Sequence, residues 1–116
     1  MRVWDVAPRL LCRAHLLGEH REIHAVYAVI ARGSEGYSRH PETRRWVGKL
    51  PALAVRHAHV ADEMRSRGYR HASPMRATRG SRVQRSRLLS RDGQLARLEA
   101  KPCPCPLPAA KRENAR

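Results

Sequence analysis

Residues 15–24 read HLLGEHREIH. Wound as a helix, this stretch sets His15, Glu19 and Glu22 at i, i+4 and i+7, within a stripe about 60° wide. Two carboxylates and an imidazole on one stripe are a set that general acid–base chemistry uses. In a chain with 24 Lys+Arg against 10 Asp+Glu they are also natural salt-bridge partners for the surrounding arginines. Two considerations favour chemistry. The helix carrying them is apolar on most sides, so acids within it need partners or a site. A surface suited to phosphate is also weakened by a carboxylate that performs no function there.

Other chemistries fit the spacing less well. His20 and His24 form an i, i+4 pair, with His57 and His59 further along the chain. HREIH is not the HExxH zinc motif, because its glutamate is displaced by one place. HRE supplies the H-x-E of a zinc deaminase, but PCPC (102–105) separates its thiols by one residue where that site needs two. These histidines therefore read as solvated or core residues, and neither a metal nor a cofactor is expected. Cys12, on an apolar stretch, reads as a small core residue. Cys103 and Cys105 have no paired base in view, and three cysteines make no disulfide framework.

The elements that must position the stripe follow from the pattern. Pro8 suits a first helical turn, and from Pro8 to Ala31 the chain has no further proline and only Gly18, with Leu, Ala, Val and Ile recurring on most sides, which predicts a long, central, largely buried helix. RGSEGYSRHPE (32–42) reads as a loop, ending in a helix start at Pro41 and Glu42. A second long helix is expected over Lys49 to Arg67, with Pro51 in its first turn and Gly68 ending it. Its core candidates are Leu50, Leu53, Val60 and Met64. A last helix is expected over Arg91 to Lys101, with Leu95 and Leu98 inward. The proline-rich end, PCPCPLPAAKRENAR, reads as a loose tail. The expectation is an all-α fold, a compact domain of about three helices over 1–101 with a flexible tail over 102–116.

The net charge of +14 and a pI near 11.4 call for a polyanionic partner, nucleic acid first and an anionic membrane surface second. Neither long helix sets one cationic face against one apolar face, which disfavours the membrane surface. All but Lys49, Lys101 and Lys111 of the basic residues are arginine, which grips phosphate with a two-pronged fork. No signal peptide or membrane-span length is visible, and a reducing cytoplasm is the expected compartment.

These residues resemble the pyrimidine-dimer DNA glycosylase family, the small endonuclease V type of phages, an algal virus and bacteria. HLLGEHRE (15–22) is similar to the family's first-helix motif H-L-x-x-E-x-R-E, which ends in its catalytic glutamate. KLPALAVRHAHVADEMRSRGY (49–69) is similar to its second long helix through Lys49, Leu50, Leu53, Arg56, Glu63, Arg67 and Gly68. GYSRHPETRRW and QLARLEAKPCPC resemble the short bacterial branch. The resemblance implies that Glu22 is the catalytic carboxylate, with Arg21 beside it and His15 and Glu19 in support. It implies that the nucleophile is the chain's N-terminal amine. In the fixed register of the first helix, that amine belongs to Met1, with Arg2 following it. Arg2, His15, Glu19, Arg21, His24 and Arg56 are the expected DNA-contacting set. An α-amine has an ordinary pKa of about 7.7–8.0, and Arg2 and Arg21 would lower it by like-charge repulsion. The implied activity is glycosylase plus AP lyase, through an imine to the sugar. The implied partner is lesion-bearing double-stranded DNA, engaged by a monomer.

The chain departs from the family where Ala25 replaces an arginine shortly after the glutamate, with His24 the nearest polar substitute. No aromatic residue occurs after Tyr69. A non-catalytic, basic nucleic-acid-binding protein on the same scaffold is the alternative expectation. Gly18 reads as a gap through which a backbone or ligand approaches Glu19 and Glu22.

Overall fold

Four α-helices form where the sequence supplies their ends, with no strand among the described residues. A computed structural model describes residues 3–33, 40–70, 74–77 and 79–100. Helix α1 is Arg13–Arg32, α2 Pro41–Trp46, α3 Leu50–Ser66 and α4 Arg91–Ala100. Helix α1 ends at Gly33, whose φ of 66° is the left-handed conformation that lets its N–H reach the Val29 carbonyl. Helix α2 begins with proline, and the His40 Nδ1 accepts the Glu42 amide at 3.1 Å as a side-chain cap. Proline also lies in the first turn of α3, and Gly68 follows its C-cap Arg67.

Two expectations change. The first long helix starts at Arg13 and not at Pro8. Residues Pro8–Leu10 close only a 3-10 turn, and extended backbone at Leu11 and Cys12 then redirects the chain. Both side chains are fully buried, so their packing outweighs helical continuation. Nor is α1 central and wrapped on all sides. Its buried residues are Leu16, Glu19, Ile23 and Val26, which form one face, and Arg21 is exposed. A chain of this size has too few elements to cover a long helix all round.

Helix α1 packs chiefly on α3. Leu16, Ile23 and Val26 meet a core made with Leu53, Val60 and Met64, closed by Val3, Trp4, Val6, Leu11, Trp46 and Leu98. Fully burying side chains of this size contributes about 1.5–3 kcal/mol each. The irregular segment before α4 lies back on the start of α3. The Ser81 amide donates to the Gly48 carbonyl at 2.8 Å, and the Ala52 amide to the Ser81 carbonyl at 3.1 Å. Gly80 is required there. Its φ is 111°, and a Cβ would stand 2.6 Å from the Gly48 oxygen. Helix α4 then buries Leu98 and Gln94, with Leu95 packed on the core's edge. Lys101 and the proline-rich end lie outside the described residues.

Candidate active site

Every helix contributes a side chain to the same short piece of chain. Residues Val3–Val6 have no strand partner among the described residues, so their backbone polar groups must bond elsewhere. From α1, Glu19 Oε1 accepts the Trp4 amide at 2.7 Å. From α2, Arg45 Nη2 donates to the Val3 carbonyl at 3.0 Å. From α3, Arg56 Nη1 donates to the Val6 carbonyl at 2.7 Å. From α4, Gln94 Oε1 accepts the Asp5 amide at 2.7 Å. The side chains also bond one another. Arg56 Nε donates to Glu19 Oε2 at 2.6 Å, and its Nη2 contacts the same oxygen. Arg45 reaches both Asp5 oxygens at 3.0 Å, Glu42 Oε1 through Nε, and the Ser86 carbonyl at 2.7 Å. Gln94 Nε2 completes the net on Asp5 Oδ2 at 2.9 Å.

Glu19 is 1% exposed. Burial pushes its carboxyl up to about 7 from an ordinary 4.5, against the opposing pull of the Arg56 charge and the Trp4 amide. The two glutamates of the stripe thus have different environments. Glu19 is locked in the interior. Glu22, one turn further along, is half-buried and has neither a hydrogen bond nor an ion pair to a described residue. Glu19 thus pairs with Arg56, whereas Glu22 makes no such pairing with a described residue.

The remaining expected site residues divide. His15 is half-buried, with its ring edge-on to Trp4 at 6.4 Å and Nδ1 2.9 Å from the Cys12 sulfur. Arg21 is exposed beside Glu22. Arg56 points its fork inward at Glu19 and Val6. His24 lies about 160° around α1 from Glu22, next to His57 of α3. Met1 and Arg2 lie outside the described residues. Asp5, Arg45 and Gln94 escaped the sequence reading. They are 40 and 89 residues apart in their pairings, and no local spacing marks such partners.

Compared with known families, residues 1–77 match the model of the family described as pyrimidine dimer DNA glycosylase. The chain belongs to this family. No curated protein and no solved structure matches the chain. Membership makes DNA the substrate class, in keeping with the +14 charge. The match spans α1, α2 and α3, and stops before α4, although Gln94 and Leu98 of α4 complete the packing of the fold that holds residues 3–6. No helix among the described residues is long and apolar enough to cross a membrane.

Proposed function

We propose that this protein is a DNA-repair glycosylase with AP-lyase activity on pyrimidine dimers, in which the α-amine of Met1 is the nucleophile and Glu22 the acid–base group. One observation carries the reading: four helices each direct a side chain at Val3–Val6, with Glu22, which pairs with none of the described residues, one turn beyond the Trp4 anchor on Glu19. Such a framework is larger than three hydrophobic side chains need, and suits a segment whose position matters. Three residues separate the Trp4 amide from the Met1 amine, a reach of at most about 11 Å. Glu22 is about 4.5 Å along the helix axis from Glu19. The amine and the carboxylate can therefore share one sugar.

The chemistry then runs without a side-chain nucleophile. The neutral amine attacks C1′ of the dimer's 5′ nucleotide, and the glycosidic bond breaks as the base leaves with its electron pair and a proton. The adduct nitrogen loses a proton and the sugar ring opens, leaving an imine. Glu22 stabilises cationic character at the sugar and removes the C2′ proton, and the 3′ phosphate departs by β-elimination. Water hydrolyses the imine and frees the amine. Arg2 and Arg21 would meet phosphates flanking the lesion and keep the amine's proton affinity low. His15, Glu19 and Arg56 act as positioning residues. The protein is expected to act as a monomer on DNA in the cytoplasm.

Borohydride is expected to trap a covalent complex between the untagged protein and ultraviolet-irradiated or abasic DNA. Acetylating the N-terminus, or extending it with a tag, should abolish the adduct. Glu22→Gln should retain DNA affinity and an unchanged Tm while losing strand cleavage. A folded, untagged protein that binds DNA and yields no adduct would leave a non-catalytic DNA-binding protein.

A further inference from the structure

His20 and His24 of α1 and His57 of α3 bring one ring nitrogen each to within 4.8 Å of one another. Their ring centroids are 4.7, 4.8 and 5.3 Å apart. The His24 and His57 Nε2 atoms are 3.1 Å apart. Two nitrogens bound to one zinc at 2.0–2.1 Å with tetrahedral angles are separated by about 3.3 Å, nearly the spacing found here. His57 is 4% exposed, held in the interface between the two long helices, whereas His20 and His24 are half-buried. His57 also borders an open cleft of about 300 Å³ that Asp62 helps to line.

We propose that His20, His24 and His57 form a binding site for a divalent transition metal, zinc above all, that ties α1 to α3. Three neutral imidazoles are a donor set that suits zinc, copper and nickel, and disfavours magnesium and calcium, which prefer oxygen. The site holds three protein ligands, with the fourth position open to water. Bringing all three nitrogens to zinc spacing requires a closure of about 1.5 Å at most, within the range of a rotamer adjustment of half-buried His20. With both rings as Nδ1–H tautomers, the His24 and His57 Nε2 atoms, 3.1 Å apart, are both free to ligate. The cluster lies on the flank of α1 opposite Glu22, so the metal is a staple between helices and takes no part in the imine chemistry. It does not depend on the glycosylase reading.

The test uses the full-length, untagged protein, stripped with EDTA. Zinc is expected to bind one to one and to raise Tm by roughly 5 °C or more. Cobalt should give the visible bands of a four-coordinate site with nitrogen ligands. His20→Gln and His24→Gln should each weaken zinc binding at least tenfold while the metal-free protein stays folded, and His57→Asn should do the same if it folds. His59→Gln, on the exposed face of α3, should leave binding unchanged. The proposal is overturned if zinc neither binds one to one nor raises Tm, or if binding survives in the His20→Gln, His24→Gln double variant.

Discussion

Glu19 lets burial and ion pairing be weighed directly. Its carboxylate meets a guanidinium at 2.6 Å, which favours the charged form, and lies in the protein interior, which opposes it. The balance falls to burial, with the carboxyl pushed up to about 7 from 4.5. A carboxyl raised in the folded state keeps a proton that the unfolded chain releases. Its stabilising effect is therefore complete below pH 4.5 and is lost as pH rises to 7. At 1.36 kcal/mol per pKa step, the loss across that window is about 3 kcal/mol. Glu19→Gln removes the titration but leaves an acceptor for the Trp4 amide. The substitution has its own pH-independent cost, so the slope carries the information. Urea unfolding of both proteins from pH 4.5 to 7.5 should show the wild type losing about 3 kcal/mol relative to Glu19→Gln, with the difference flat above pH 7.5. If the wild type instead gains on the variant as pH rises, Glu19 is held ionised by Arg56, and the argument that burial prevails is wrong.

Gly18 sits inside α1, and a Cβ built on it meets nothing within 4 Å. Gly18→Ala is expected to stabilise the protein by about 1 kcal/mol, read from thermal unfolding. If DNA uses the gap beside Glu22, the same variant should lose affinity while gaining stability, and a destabilised variant would contradict the open geometry. Leu98 is 2% exposed on α4. Leu98→Ala should cost about 2–5 kcal/mol, measured by denaturant unfolding, because α4 belongs to the core although it lies beyond the family match.

The helices were legible because their ends are local signals. Pro41 with Glu42, Pro51 and Gly68 each act within one turn, and α2 and α3 follow those boundaries. The stripe of His15, Glu19 and Glu22 was legible for a related reason, since i, i+4 and i+7 is a helix-scale pattern and all three lie on α1. What the pattern concealed is that its two glutamates have opposite fates. Burial separates Glu19 from Glu22, and burial depends on Arg56, 37 residues away, and on Trp4. The histidines have the same property. An i, i+4 pair on α1 was visible, but only packing of α3 against it selects His57, buried and adjacent, over exposed His59 two residues on. Long-range partners also explain why Asp5, Arg45 and Gln94 carried no sequence signal, though they fix residues 3–6. In the proposed mechanism the nucleophile is a backbone amine, which side-chain rotamers cannot position, so the main chain itself must be held. A carbonyl or amide bond from each of four helices to residues 3–6 suits that proposed requirement.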